Sequence, residues 1–325
     1  MPKRSGAATA VLLAFALAPF ALAREARAQA PTPDPPSPVE APRPLVAKVE
    51  HFFASAPDAD RLFLFFRDTL QLPQVWGYQS WGDFASGGVS LGNVVFELVS
   101  WKVPAGETLA TELAGIAFEP GGPTDAAVAE LARRGIAHDP PEPNLREDAG
   151  GRKVGWINTG LPDLASWNVF FCDYVPRERV AQGRASASEE LDRRQGGPLG
   201  VLELGELVLG AADVETASSH WRRLLDSPAQ EAGGVFTFGP GPAIRLVPAA
   251  KSGIQRMVVR VRSLERARSF LTDQRLLGEV AAGAVTIAPE AIGGLAITLV
   301  EAPAAGSPAA PAPRATPSPT AVGAS

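Results

Sequence analysis

Three histidines and one cysteine are all the imidazole and thiol that this 325-residue chain carries, so metal, nucleophilic and proton-transfer chemistry has few possible centres. His51 lies in the apolar run LVAKVEHFFA, His138 in the loop AHDPPEPN and His220 in SSHWRRLL. His138, beside prolines, reads as a solvated surface residue, and His220 as part of a helix. Cys172 stands in the apolar stretch NVFFCDY, where a free cysteine reads as packing rather than as a nucleophile. A single cysteine also excludes an intrachain disulfide framework and any cysteine-rich zinc or iron–sulfur site. No Ser/His/Asp arrangement stands out. The glycines of GGVSLGN and FGPGPA fall between strands and not ahead of a helix, which makes them hairpin turns rather than phosphate cradles. Aromatic residues are dense between Phe52 and Phe84, and most must be core. Trp76, Tyr78, Trp81 and Phe84, in the polar, glycine-containing stretch WGYQSWGDF, are the candidates to line an apolar pocket for a small-molecule ligand.

The composition, 46% hydrophobic and 20% charged with a net charge of -5, supports a large core and two domains, and it offers no basic excess for nucleic acid. The ends fall outside the fold. Lys3 and Arg4 followed by the apolar run Ala7–Ala23, with Ala26-Arg27-Ala28 as a small-residue cleavage site, read as a signal peptide over residues 1–28. Its removal takes four basic residues and one acidic residue and leaves a net charge of -8. The expected location is therefore periplasmic or secreted, with no membrane span after cleavage; oligomeric state is left open. Residues 29–44 (QAPTPDPPSPVEAPRP) form a Pro-rich linker, and residues 303–325 a Pro/Ala-rich tail with little to bury, expected to be disordered.

Between these ends one order of elements recurs four times: a strand, an amphipathic helix, then strands. The first copy has strand Leu45–Ala54, helix Ala59–Leu72 and a last strand Asn93–Trp101. The second has Glu112–Pro120, helix Thr124–Gly135 and Ser166–Val175. The third has Val201–Asp213, helix Val214–Leu225 and the hairpin Val235–Val247. The fourth has Ile254–Ser263, helix Leu264–Leu277 and the strands AVTIAPE and GLAITLVEA. A single such unit leaves a sheet edge open and one apolar face bare, so the units should pair. The expected fold is α+β, with four βαβββ units paired into two curled mixed sheets around a cavity. The first module spans 45–180, a linker 181–199, and a second, degenerate module 200–302.

The segment VEHFFASAPDADRLFLFFRDTLQLP followed by GGVSLGNVVFELVSW resembles the first half-module of the vicinal oxygen chelate superfamily, which contains glyoxalase I, bleomycin-resistance proteins and extradiol dioxygenases. Element order and spacing extend the resemblance over residues 45–302. It implies a divalent metal, Zn, Fe, Mn or Ni, held by a His from the first strand and a Glu from the last strand of each paired unit. His51 and Glu97 fill the first two places. In the second unit the same alignment puts Gly115 and Phe170 or Phe171 at the other two, and neither type ligates a metal. Asp173, Tyr174 or His138 could complete the shell if the strand register slipped by one residue. Without metal, His51 and Glu97 could be a hydrogen-bonded remnant, or an acid–base pair.

In the second module the equivalent positions fall to Glu206, Arg245, Arg256 and Thr298, a poor metal shell. These residues either form a structural Glu206–Arg245 ion pair, or Arg245 and Arg256 recognise an anionic ligand. The sequence thus leaves two functions: an exported protein that binds a small apolar or aromatic molecule in its first module, or a divalent-metal-dependent lyase or dioxygenase using His51 and Glu97.

Overall fold

A computed structural model describes residues 44–104, 106–148, 151–226 and 234–303. The expected signal peptide, nearly all of the Pro-rich linker and the tail beyond 303 lie outside these residues. The first unit is β1 (Val46–Ser55), α1 (Ala59–Leu64, continued by a π turn over Phe65–Thr69), β2 (Gln74–Ser80), β3 (Phe84–Ser90) and β4 (Val95–Trp101). The second is β5 (Glu112–Pro120), α2 (Thr124–Arg133), β6 (Glu142–Asp148), β7 (Gly151–Gly160) and β8 (Val169–Tyr174). A 17-residue helix, α3 (Arg177–Arg193), follows. The third unit is β9 (Val201–Ala211), α4 (Val214–Leu225), β10 (Val235–Phe236) and β11 (Ala243–Pro248). The fourth is β12 (Gly253–Val261), α5 (Leu264–Asp273), β13 (Leu277–Ala281), β14 (Ala284–Ile287) and β15 (Ile297–Glu301).

Local chemistry explains these boundaries. The Asp213 side chain accepts from the Thr216 N–H at the start of α4, and Ser263 accepts from the Arg266 N–H at the start of α5, satisfying amides that a helix leaves free. Helix α4 buries Ala217, Trp221, Leu224 and Leu225, the i, i+4, i+7, i+8 stripe of a helix lying on a sheet. The segment 181–199, read from sequence only as a linker, is mostly α3. It buries only Ala187 and Leu191, too few apolar residues to announce a helix in the sequence.

Two mixed, curled sheets result. One runs β2-β3-β4-β1-β5-β8-β7-β6 and the other β10-β11-β9-β12-β15-β14-β13. In each, the first strand of a unit pairs parallel with its last strand and antiparallel with the first strand of the neighbouring unit. The architecture is α+β, that of tandem modules of the vicinal oxygen chelate type.

The register carries a further repeat. In each of the four first strands the antiparallel ladder skips the residue just before one equivalent position: Glu50, Ala114, Gly205 and Gln255; β1 also skips Ala47 and β9 Leu202. Each of the first four is a β-bulge, and the residues after them, His51, Gly115, Glu206 and Arg256, are structural equivalents. Two residues further on, Phe53, Ala117, Val208 and Val258 pair with Glu97, Phe170, Arg245 and Thr298 of the last strands.

The two sheets share one apolar core. The Trp167 indole N–H donates to the Gly210 carbonyl at 3.0 Å, and Trp221 meets Phe118 and Trp167 edge-on. Asn93 of the first module both donates to the Leu204 carbonyl and accepts from the Leu204 N–H. The hairpin glycines reproduce this contact in both directions: Gly92 abuts the Leu202 carbonyl and Gly239 the Ala47 carbonyl, so closely that a Cβ would collide, and both have positive φ.

Candidate functional site

A β-strand presents alternate residues to each face, so Phe52 enters the core while His51 and Phe53 face the concave side of the first sheet. The bulge changes the rule at one place. A bulge re-aims side chains, and at Glu50 it brings the carboxylate to the adjacent His51 ring. Glu50 Oε2 contacts His51 Nδ1, and the other Glu50 oxygen pairs with the Arg184 guanidinium delivered by α3. On the opposite side of the ring, Nε2 lies 3.3 Å from Glu97 Oε2. Strand β4 runs parallel beside β1 and positions Glu97 for this contact.

One imidazole therefore stands between two carboxylates. A neutral ring has a single N–H and can satisfy only one of them. Burial lowers the pKa of His51, an effect that Glu97 partly opposes, so the second proton is disfavoured. Arg184 supplies one positive charge to Glu50: its side chain is 14% exposed, burial lowers its pKa to about 9, and it stays charged at neutral pH. It also lies over the Tyr174 ring at 5.0 Å.

His51, Glu97, Cys172 and Tyr174 open onto a cavity of about 990 Å³. The β8 side chains Phe170, Cys172 and Tyr174 face it. Burial pushes the Cys172 thiol and the Tyr174 phenol upward in pKa, so both are protonated at neutral pH. Aromatic rings form the walls: Trp81 meets Trp156 edge-on at 5.7 Å, Phe84 lies 5.1 Å from Trp101, and Phe53 bridges Trp101 to Phe170. The Trp76 and Trp81 indoles both donate to Ser86 Oγ, which fixes those rings from behind.

The structure thus brings together His51, Glu97, Trp76, Trp81 and Phe84. Tyr78 is placed elsewhere: its ring packs against Phe63 and the core, because a register shift between Trp76 and Gln79 interrupts the alternation that would put it on the face of Trp76. Gly115 and Phe170 occupy the other two positions at which the family resemblance would expect ligands. The Phe53 ring covers Gly115 where a Cβ would project, and Phe170 sets its ring edge-on to His51 at 6.1 Å. Asp173 points to the opposite face, accepting from Arg177 at 2.5 Å and from the Thr124 hydroxyl at 2.7 Å. His138 is half-buried in its loop and contacts the Asp139 carbonyl. In the second sheet Arg245 binds Glu206 through two hydrogen bonds of 2.8 and 2.7 Å, and Arg256 Nε is buried without a hydrogen-bond partner among the described residues.

Sequence reasoning missed Glu50 and Arg184. Glu50 stands in VAKVEHFF where strand alternation assigns it to the face opposite His51, and nothing in the residues announces the bulge. Arg184 sits in a polar helix whose sequence resembles a linker. The donor chemistry of the site fits a divalent ion: the donor atoms of Glu50, His51 and Cys172 all lie within 4.8 Å of one another, and all three residues are buried.

No family model and no curated protein sequence matches the chain. Solved structures do. A hypothetical protein from Staphylococcus aureus aligns with a TM-score of 0.53 at 11% identity over 78% of this chain and 99% of its own. Homoprotocatechuate 2,3-dioxygenase from Arthrobacter globiformis aligns at 0.50 with 13% identity over 81% and 82%. A mutant of 4-hydroxymandelate synthase from Streptomyces coelicolor aligns at 0.50 with 11% identity over 79% and 92%. What the chain shares with them at these identities is the fold, two curled sheets of paired units in the extradiol-dioxygenase manner.

Proposed function

We propose that the first module is a divalent-metal-dependent enzyme of the dioxygenase or lyase kind, acting on a small, largely aromatic compound, with His51 and Glu97 as metal ligands. The observation that carries this reading is the imidazole held between two carboxylates at the floor of an aromatic cavity, a contact that a cation between Nε2 and Glu97 would satisfy. Likeness of fold to a dioxygenase agrees with it, although this fold does not fix an activity.

Each residue has a definable part. Glu50 accepts from His51 Nδ1–H and thereby leaves the Nε2 lone pair aimed at Glu97, the second-shell arrangement that orients a metal-binding histidine. Arg184 balances the charge of Glu50. Trp81, Trp156, Phe84 and Trp101 offer flat faces to an aromatic ring and exclude water. An ion at this site would supply open coordination positions that polarise substrate oxygens.

A metal-free binding protein is the second reading, favoured by Gly115 and Phe170 where the fold has room for two more ligands. Titration of intrinsic tryptophan fluorescence with catechols and other small aromatics, with and without Fe(II), Mn(II) or Zn(II), separates the two. Metal-strengthened binding with turnover is expected; tight binding indifferent to metal and chelator overturns the enzyme reading. We further propose, from Lys3, Arg4 and the apolar run behind them, that the chain is exported to the periplasm or beyond and begins at Gln29 after cleavage.

A further inference from the structure

We propose that Gly88 and Gly115 are specificity-determining residues of the first module: carrying no side chain, they let the Trp76 and Phe53 rings settle onto the floor of the cavity on either side of Glu97 and so keep the space above Glu97 open for a substrate ring. This inference rests on the reading above that the cavity takes a small aromatic compound.

Three observations carry it. First, the register sets these residues in one row across the sheet: Trp76 pairs with Gly88, Gly88 with Glu97, Glu97 with Phe53, and Phe53 with Gly115. Residues opposite one another in a ladder share a face, and Trp76, Glu97 and Phe53 line the cavity, so the whole row faces it. Second, a Cβ on Gly88 would stand 2.6 Å from Cη2 and Cζ3 of Trp76, and a Cβ on Gly115 would stand 2.4 Å from Cε1 and Cζ of Phe53. Each ring thus occupies the place where its ladder partner would carry a side chain. Third, neither glycine has a positive φ, so the backbone does not require glycine at either position. Gly88 lies inside β3 and not in the turn that its sequence suggests. The rings are what require it.

The neighbours decide where a displaced ring goes. The Asn168 carbonyl lies 2.9 Å from the Gly115 Cβ position, and the Phe170 ring stands 6.3 Å from that of Phe53. These close the far side, so a methyl group at Gly115 drives Phe53 toward Glu97. The Trp76 indole N–H donates to Ser86 Oγ at 3.4 Å, and a methyl group at Gly88 lifts the far end of that ring off the strand into the cavity. Both shifts narrow the same space. Gly115 therefore does more than omit a ligand, because its missing side chain is where Phe53 rests.

The test is calorimetric titration of the full chain with catechol and with a two-ring analogue, naphthalenediol, each with and without Zn(II). The proteins compared are wild type, Gly88→Ala, Gly115→Ala, and Gly115→Ala combined with Phe53→Leu. Each alanine is expected to weaken binding at least about tenfold, more for the two-ring compound, and Phe53→Leu to restore binding in the Gly115→Ala background. A loss that came only from general destabilisation would not be rescued by truncating a second buried residue. Gly88→Ala, whose nearest obstacles are ring atoms alone, keeps the test decisive if Gly115→Ala folds poorly. Wild-type affinity in the alanine variants, or no recovery in the double variant, overturns the role of the glycines and leaves the aromatic-substrate reading standing. A wild type that binds neither compound overturns both. Binding indifferent to Zn(II), with the alanine losses and the rescue intact, supports the role of the glycines and counts against the metal alone.

Discussion

Glu50 is the residue on which the site turns. It is 2% exposed, and its two oxygens serve different partners, Arg184 and His51. Glu50→Gln keeps the shape and removes the charge, leaving the Arg184 guanidinium buried without its counter-ion. Breaking one partner of a buried ion pair costs about 3–5 kcal/mol. Urea denaturation should show a loss of that size for Glu50→Gln, and much less for Glu50→Gln combined with Arg184→Met; equal losses in the two would contradict the pairing. Asp173 gives a pH-dependent counterpart. Burial pushes its carboxyl up in pKa, but hydrogen bonds from Arg177 and Thr124 outweigh this and hold it below the ordinary value. A depressed folded-state pKa adds stability that is present above the unfolded-state value and is lost as pH falls through the folded one. Asp173→Asn should therefore destabilise by about 1–3 kcal/mol at neutral pH, and its difference from wild type should shrink toward roughly pH 3, below the ordinary carboxylate pKa. Chemical denaturation at both pH values measures this directly.

At the scale of elements, most of what forms the first sheet was legible in the sequence. The strand at Glu112–Pro120 and the helix at Val214–Leu225 have the bounds that apolar periodicity assigns them. Alignment to the family's strand-one pattern also matched His51, Gly115, Glu206 and Arg256, and each follows a bulge in the register. The bulges themselves were not legible, because a skipped residue leaves no mark in a period-two pattern; Glu50 was lost for that reason. Helix α3 was lost because its stability comes from two buried residues, its backbone ladder and i, i+4 pairs such as Arg194–Glu190, none of which produces an apolar stripe. Tyr78 was lost to another such irregularity, the register shift between Trp76 and Gln79 in β2. The turns offer a test at this scale. Gly239 has φ 49° and lies against the Ala47 carbonyl, so Gly239→Ala meets both a steric and a backbone penalty. It should lower stability by about 1–3 kcal/mol, whereas Gly283→Ala, with φ 77° but open space around it, should cost about 1 kcal/mol. Thermal melts of the two variants compare these costs.

Across the whole molecule, the two sheets are joined by a shared core in which Trp221 is fully buried and touches Phe118 and Trp167 of the first module. Trp221→Ala should cost about 3–5 kcal/mol. Because that core is continuous, the loss should appear in one transition monitored by either fluorescence or circular dichroism, and two separated transitions would contradict it. The second sheet presents Leu202 and Leu204 to the β3–β4 hairpin, and two of its equivalent polar positions form the Glu206–Arg245 pair. The first sheet carries the His51 cavity, and a cation belongs there by the reading proposed above. The most direct test is metal analysis by mass spectrometry of the purified protein, alongside His51→Ala and Glu97→Ala. Close to one divalent ion per chain, absent from both variants, is the predicted result; a metal-free wild type that takes up none on reloading, or equal occupancy in His51→Ala, would contradict the account.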